Sequence, residues 1–222
     1  MKGEVRQYPV WLRVWHWSNA LLFVVLLITG LSMHYSGPGR PEVGFRTSVL
    51  IHNAAGILLT LCYGLFLLGN LRFRNGRYYR LVPGDLTYGA LRQTRYYLLG
   101  IFLGEPHPFP HSEERKFNPL QKLTYLAVMF GLLPMVILAG WALFFPEHLP
   151  ENLFGLSGIA LWAMAHSYLG YFGSLFMVVH IYLGTTGETP GTLFRFMLTG
   201  HTVTGSDNEE SPPTRAVSNV HR

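Results

Sequence analysis

Residues 163–186 of the chain read AMAHSYLGYFGSLFMVVHIYLGTT, an apolar stretch that carries two histidines, His166 and His180. Histidine is costly in a hydrocarbon layer, so two of them in one apolar helix indicate a function. Fourteen steps of 100° leave the two rings about 40° apart around the helix axis, so both face the same neighbours. A rise of about 1.5 Å per residue separates them by about 21 Å, which places one ring near each side of a bilayer core.

The composition of the 222-residue chain favours a membrane protein, because 49% of its residues are hydrophobic and only 13% are charged. Soluble domains carry about 25% charged residues. The formal net charge of +5 comes from basic residues that flank apolar runs, which favours membrane lipid over nucleic acid as a partner. The single cysteine, Cys62, excludes an intrachain disulfide, a covalent CxxCH attachment and an iron–sulfur cluster held by this chain alone.

Four apolar stretches are long enough to cross a bilayer. They cover approximately residues 12–33, 50–71, 123–145 and 159–185. The predicted fold class is therefore all-α, an integral membrane four-helix bundle. Residues 86–104 are also apolar, but Arg92 and Arg95 lie in their middle. We therefore expect this segment to form an amphipathic helix on the membrane surface between spans two and three.

The distribution of positive charge predicts the orientation of the spans. The N-terminal segment and the loop between spans two and three hold most of the basic residues near the spans, whereas the opposite side holds only Arg40 and Arg46. Both termini and the long middle loop, with its amphipathic helix, are therefore expected in the cytoplasm. Residues 1–201 form the predicted membrane domain. Residues 202–222 are polar and contain proline, so we expect a disordered tail.

Depth in the membrane sorts the ten histidines of the chain. Five lie in predicted loops or in the tail and are expected to be solvated. Of the others, His16 opens span one on the inner side and matches the depth of His180. On the outer side, His166 can pair with His52 at the start of span two or with His34 at the end of span one.

A local pattern favours His52 over His34 as the outer partner. A small residue one turn after a ligand leaves room for a flat macrocycle beside the helix, much as small residues let membrane helices approach each other. Glycine follows by four residues in HNAAG, HSYLG and HIYLG, which begin at three of the span histidines, and alanine follows His16 in HWSNA. His34 has Pro38 at that position, where its helix is ending.

Four histidines at two matched depths predict two haem b groups held only by side-chain ligation. The inner haem is expected on His16 and His180, and the outer haem on His52 and His166. A site for a bare metal ion would gather its ligands at one depth. An interhelical hydrogen bond or a proton relay explains a single histidine in a span better than it explains four in two layers.

The sequence resembles the dihaem cytochrome b subunits of bacterial Ni/Fe-hydrogenase, formate dehydrogenase and thiosulfate reductase-like complexes, a bacterial cytochrome b561-like family. The resemblance covers residues 8–200 approximately. It rests on RVWHWSNALLFVVLLITG, HNAAG, RQTRYYL, KFNPLQKLTYL and HSYLGYFGSLFMVVHIYLGTTGETP. It implies the same two ligand pairs, His16 with His180 and His52 with His166, and a place in the bacterial cytoplasmic (inner) membrane.

The resemblance also implies a quinone site near the cytoplasmic haem, which in that family uses an asparagine at the start of span three. Asn118 of KFNPLQK matches this position. The quinone is expected to be menaquinone or ubiquinone. Asn118 followed by Pro119 is equally a good signal for the N-terminus of a helix, and one residue can serve both purposes.

The function implied by the resemblance is transmembrane electron transfer between the quinone pool and an extracytoplasmic oxidoreductase. The expected partner is an iron–sulfur, molybdenum or nickel–iron redox subunit, or a multihaem cytochrome. Bis-histidine ligation leaves no open position on iron, so we expect an electron-transfer subunit rather than an independent catalyst. Two other classes stay open: a stand-alone cytochrome b561-type quinol or superoxide oxidoreductase, and a haem-free four-helix transporter or proton-relay protein.

Overall fold

A computed structural model of the chain describes residues 4–6, 8–36, 44–73, 84–106, 108–109, 118–186 and 189–203. These residues are mostly helical, and the helices are α1 (Val10–His34), α2 (Phe45–Arg72), α3 (Ala90–Arg95), α4 (Pro119–Phe144), α5 (Gly158–Gly184) and α6 (Thr192–Thr199). Four of them, α1, α2, α4 and α5, are long and apolar enough to cross a membrane. The predicted all-α fold with four spans is therefore confirmed.

The observed helices differ from the predicted spans mainly at two N-terminal ends. The helix α2 begins at Phe45, ahead of its apolar run, and includes the buried Ser48, whose hydroxyl donates to Ser32 Oγ of α1 at 3.0 Å. The helix α4 begins at Pro119, where Asn118 caps it. Polar residues that find partners thus extend both helices beyond the limits that hydropathy predicts.

A π-helical turn over Val128–Leu132 interrupts α4 shortly before Pro134. Proline lacks a backbone N–H, and its ring clashes with the carbonyl four residues earlier, so regular α-helical hydrogen bonding cannot continue through it. The Met129 carbonyl of this turn accepts a hydrogen bond from the Tyr63 hydroxyl of α2 at 3.0 Å. The irregular turn therefore connects α4 to α2 through a specific polar contact.

The segment predicted as an amphipathic helix is helical, with α3 flanked by π-helical turns at Asp85–Gly89 and Tyr96–Gly100. On its exposed side, Arg95 forms two hydrogen bonds with the Glu105 carboxylate, at 2.7 and 3.0 Å, and these raise the pKa of Arg95. Gln93 is fully buried, and α3 packs against the start of α4. One side of this segment is thus covered by protein, and the rest of its surface exposes the Arg95–Glu105 ion pair together with large apolar side chains such as Leu91 and Phe102.

Two short antiparallel strand pairs lie outside the helices. The strands β2 (Asn152–Leu153) and β3 (Leu156–Ser157) form a hairpin between α4 and α5, and β1 (Glu4–Arg6) pairs with β4 (His201–Val203). Strands of two or three residues are too short to show an alternating pattern, so the sequence did not indicate them. The strand β4 includes the first two residues of the predicted tail (202–222), and the rest of that tail lies outside the described residues.

The C-terminal end of α6 is held against the start of α1. The last carbonyls of a helix have no partner within the helix and need other donors. The Trp17 indole N–H donates to the Met197 carbonyl at 3.1 Å, and the Arg13 guanidinium donates to the Leu198 carbonyl. Gly200 ends the helix with a φ of +82°, a left-handed conformation that glycine adopts without strain.

The interior of the bundle combines buried aliphatic side chains with aromatic rings that pack closely on neighbouring helices. Phe66 of α2 is fully buried and stacks on Trp15 of α1 with their ring centroids 4.6 Å apart. Between α1 and α5, the Phe23 ring lies over Gly173, where a Cβ would be 2.9 Å from Phe23 Cζ. Many other large apolar side chains are exposed, as expected for helices that lipid surrounds.

Replacement of Gly158 by alanine tests the close packing between the hairpin and α5. A Cβ at Gly158 would collide with the carbonyl oxygen of Pro150, which is backbone and cannot rotate away. We expect Gly158→Ala to lower the temperature of thermal unfolding in detergent, with a cost of about 1–3 kcal/mol. Gly64→Ala in α2 is the control, because its Cβ meets no described atom within 4 Å. Equal unfolding temperatures for the two variants would contradict this packing.

Candidate functional site

Two pairs of histidine rings face each other inside the bundle. The rings of His16 in α1 and His180 in α5 have centroids 6.0 Å apart and planes inclined by 52°. The rings of His52 in α2 and His166 in α5 have centroids 6.1 Å apart and planes inclined by 76°. The structure thus brings together the two predicted pairs, with one ring of each pair supplied by α5.

The distance between the rings suits a metal ion between each pair. A histidine nitrogen binds a metal at about 2 Å, and the ring centre lies roughly 1 Å behind that nitrogen, so two axial rings have centroids about 6 Å apart. Rings joined by a direct hydrogen bond would have centroids about 5 Å apart. The residues present therefore fit axial ligation of a metal, and ligation itself stays a prediction.

Each level offers two histidine rings as donors, and this number suits a metal whose other ligands come from a cofactor. Among the described residues, no group of three or more His, Cys, Asp or Glu side chains could hold a metal ion. Two axial nitrogens are what a haem iron still requires, because its macrocycle supplies the other four ligands. The donor set therefore fits a haem better than a bare ion.

The ring nitrogens of the four histidines have different surroundings. His52 Nδ1 lies 2.9 Å from the Thr29 hydroxyl. The Nδ1 atoms of His16 and His166 are buried, and neither has a side-chain hydrogen-bond partner within the described part of the chain. A buried polar atom left unpaired is uncommon in folded proteins and is typical of sites that receive a further group.

Aromatic rings surround the inner level. Phe176 stacks on His180 at a centroid distance of 5.5 Å, and Tyr125 of α4 meets the same ring edge-on at 6.1 Å. These rings hold the His180 imidazole in an apolar environment. The signal for Phe176 was available in the sequence, since it lies one turn before His180 on the same helix.

His34, the alternative outer ligand, is exposed at the end of α1. Its ring contacts that of the adjacent Tyr35 at a centroid distance of 5.0 Å. The structure therefore brings His52 rather than His34 to His166.

The glycines that follow the histidines have different surroundings. A Cβ at Gly56 or Gly170 would meet no described atom within 4 Å, so both border open space. A Cβ at Gly184 would lie 3.2 Å from the Phe194 ring of α6, so this glycine accommodates a neighbouring helix. The expected space beside the ligands is thus present at two of the three positions.

Two further glycines contact the outer ring pair and were not predicted. A Cβ at Gly30 of α1 would be 3.5 Å from His52 Cε1, and a Cβ at Gly140 of α4 would be 3.2 Å from His166 Cε1. Each glycine lies on a helix other than that of the histidine it contacts. No spacing rule within one helix identifies such a position, so the sequence carried no usable signal for them.

Asn118 forms the N-terminal cap of α4. It is 3% exposed, its Oδ1 accepts from the Gln121 backbone N–H at 2.8 Å, and the Gln121 side chain accepts from the Asn118 N–H at 3.2 Å. This reciprocal pair is a capping box. The Asn118 amide also donates to the Tyr97 hydroxyl at 3.1 Å, and burial raises the pKa of Tyr97 above its ordinary value. The predicted cap is confirmed, and contact with a quinone stays a prediction.

The fold and the paired histidines define a class of protein: a four-helix membrane bundle in which one helix shares a pair of histidine rings with each of two neighbouring helices. The chain matches the family model described as prokaryotic cytochrome b561 over residues 7–200. It belongs to the prokaryotic cytochrome b561 family, and this confirms the resemblance found in its sequence.

Two curated relatives agree with this family. The chain is 40% identical over 199 residues to a protein of Escherichia coli (strain K12) named as a cytochrome, YdhU, and the match covers 89% of this chain and 74% of the relative. It is 22% identical over 244 residues to a protein of Rhodobacter capsulatus named as a Ni/Fe-hydrogenase B-type cytochrome subunit, covering 94% and 85%. The chain is thus a multi-pass membrane electron-transfer subunit of the cytochrome b561 type, a family that implies haem b.

Variants of Asn118 separate its capping role from its contact with Tyr97. Asn118→Ala removes the oxygen that accepts from the Gln121 N–H, so we expect a loss of about 1 kcal/mol of stability. Asn118→Ser keeps a capping oxygen and loses the amide donor to Tyr97, so its thermal unfolding should stay near that of the unmodified chain. Equal losses in the two variants would show that the Tyr97 contact, rather than the cap, stabilises this end of α4.

Proposed function

We propose that this chain is the membrane-anchoring dihaem cytochrome b subunit of a complex that transfers electrons across the bacterial inner membrane. The transfer is between the quinone pool and an extracytoplasmic oxidoreductase. The observation that carries the proposal is the pair of ring separations, 6.0 and 6.1 Å, at two levels of α5. When bound, each haem b supplies a one-electron carrier.

Two histidines are proposed to hold each haem. His180 and His16 would be the axial ligands of the inner haem, and His166 and His52 those of the outer haem. The two histidines of α5 lie about 21 Å apart along the helix axis, which brings one pair near each membrane face. Phe23 fills the interior midway between them, where it covers Gly173.

The orientation follows from charge and agrees with the strand pairing. Basic residues are concentrated at the N-terminal segment and in the loop between α2 and α4, which supports a cytoplasmic location for both. Because β1 and β4 pair with each other, the two ends of the described chain lie on the same side. We therefore propose that both termini and the pair His16 and His180 lie on the cytoplasmic side.

A quinone is proposed at the cytoplasmic end, close to the inner pair. Asn118, Gln93 and Tyr97 form a polar group there, and the first two are almost fully buried. The Asn118 amide already donates to Tyr97, so a quinone oxygen that binds Asn118 would replace the Tyr97 hydroxyl as the acceptor. Protons exchanged with the quinone would come from the cytoplasm.

The proposed partner is an extracytoplasmic redox subunit. The relative from Rhodobacter capsulatus is named as a Ni/Fe-hydrogenase cytochrome subunit, which supports a nickel–iron redox subunit as the partner. A molybdenum subunit or a multihaem cytochrome would occupy the same place in the electron path. The chemistry of the partner decides whether electrons flow toward quinone or away from quinol.

Haem content in histidine variants tests the proposal. We expect reduced-minus-oxidised spectra of the purified chain to show haem b, and each of His16→Ala, His52→Ala, His166→Ala and His180→Ala to lose one haem. The His52 and His166 variants should lose the same spectral component, and the other two variants the second component. His34→Ala is the control and should keep both haems, since its ring is exposed beside Tyr35.

Two results would contradict the proposal, one in its outer histidine pairing and the other in its function. Loss of a haem in His34→Ala, with His52→Ala unaffected, would overturn the outer pairing. Absence of a haem b signal in the unmodified chain would overturn the dihaem function as a whole.

A further inference from the structure

The hydroxyl of Thr29 in α1 connects His52 to the backbone of another helix. Thr29 is buried, and its Oγ1 lies 2.9 Å from His52 Nδ1. The same hydroxyl donates to the Val25 carbonyl at 2.7 Å, with the Leu26 carbonyl at 3.2 Å. A hydroxyl has one proton and a carbonyl can only accept, so that proton is used on the α1 backbone.

The tautomer of His52 follows from this geometry. When the Thr29 proton is donated to the Val25 carbonyl, Thr29 Oγ1 is an acceptor for the ring, and this arrangement favours the tautomer in which His52 carries its proton on Nδ1. The Leu26 backbone is a second hydrogen-bond partner of the same ring. The lone pair of the ring then lies on Nε2, which is the nitrogen available to a metal. A ring N–H donated to an oxygen fixes the orientation of the imidazole and makes the opposite nitrogen a stronger electron donor.

The packing around Thr29 keeps this contact in place. The next residue, Gly30, brings α1 close to the ring, since a Cβ there would lie 3.5 Å from His52 Cε1. The hydrogen bond between Ser48 of α2 and Ser32 of α1, 3.0 Å long, joins the two helices nearby. Ser48 lies about one turn before His52, and Ser32 lies about one turn after Thr29. The His52 ring is therefore held in one position relative to α1.

His52 differs from the other histidines of the two pairs in this respect. The Nδ1 atoms of His16 and His166 are buried, and neither has a side-chain hydrogen-bond partner among the residues that the structure describes. The structure thus provides a side-chain acceptor for a ring N–H at His52, which would make the opposite nitrogen a stronger donor, and the described residues provide none at His16.

We propose that Thr29 is a positioning residue that fixes the Nδ1–H tautomer of His52 and lowers the reduction potential of the outer haem. The inference rests on the proposed role of His52 as an outer axial ligand. A stronger nitrogen donor stabilises the oxidised, more positive iron, so the oxidised form is favoured. If the outer haem has a lower reduction potential, an electron is more stable on the inner haem. The inner haem is the one proposed to lie near the quinone.

The test is a spectroscopic redox titration of the purified, haem-loaded chain. The outer component is assigned by its absence in His52→Ala. Thr29→Val removes the hydroxyl beside His52 Nδ1 with little change in volume and leaves the contact of the ring with the Leu26 backbone in place. We expect both haems to remain, the outer potential to rise and the inner potential to stay unchanged. Thr29→Ser keeps a hydroxyl and should restore the original outer potential.

Thr60 of α2 offers a matched control. Its hydroxyl likewise donates to a carbonyl one turn back, that of Gly56 at 2.9 Å, and accepts a ring N–H, from Trp141 at 3.1 Å. Thr60→Val therefore removes the same arrangement of hydrogen bonds without touching a histidine. It should leave the potentials of both haems unchanged.

The outcomes distinguish this inference from the proposed function. An unchanged outer potential in Thr29→Val, with both haems bound, overturns the role of Thr29 and leaves the dihaem function intact. Loss of the outer haem alone in Thr29→Val, with retention in Thr29→Ser, supports the positioning role. If Thr29→Val binds neither haem, Thr29→Ala is titrated in its place. An unchanged outer potential in Thr29→Ala then overturns the role of Thr29, and loss of the outer haem alone supports it. Absence of haem from the unmodified chain overturns the proposed function itself.

Discussion

An imidazole ring is costly to place inside a membrane bundle unless its nitrogens bind a partner, and the arrangement of the four histidines depends on this constraint. Four such rings lie at two levels, and each meets a ring from another helix at a centroid distance of 6.0 or 6.1 Å. The helix α5 supplies one ring per level, so α1 must bring His16 to one end of it and α2 must bring His52 to the other. Between the two levels, the Phe23 ring of α1 packs over Gly173 of α5.

Much of the fold was predictable because it depends on properties that repeat along the chain. Hydropathy indicated the four spans, and helical periodicity placed His166 and His180 on one side of α5. Contacts between distant residues decide the remainder. The hydrogen bond from Ser48 to Ser32 accompanies the extension of α2 beyond its apolar run, and the short strands that join the chain ends carry too few residues to form a readable pattern.

The candidate site also has a part that the sequence predicted and a part that it did not. Depth, orientation and the small residue four positions after each ligand, which are properties of single helices, led to the two histidine pairs that the structure brings together. The roles of Thr29, Gly30 and Gly140 depend on which helices are neighbours, so the sequence could not indicate them. Gly184 shows the limit of a local rule, because the space beside it is taken by Phe194 of α6 rather than left open.

The most direct test of the central claim is the molar ratio of haem b to polypeptide in the unmodified chain purified from membranes. Extraction of the haem and quantitative amino-acid analysis of the same sample give both quantities independently of any spectral assignment. Two paired-histidine levels predict two haem b groups per chain. A ratio of one would show that only one level binds haem, and a ratio of zero would contradict the account of what the four histidines do.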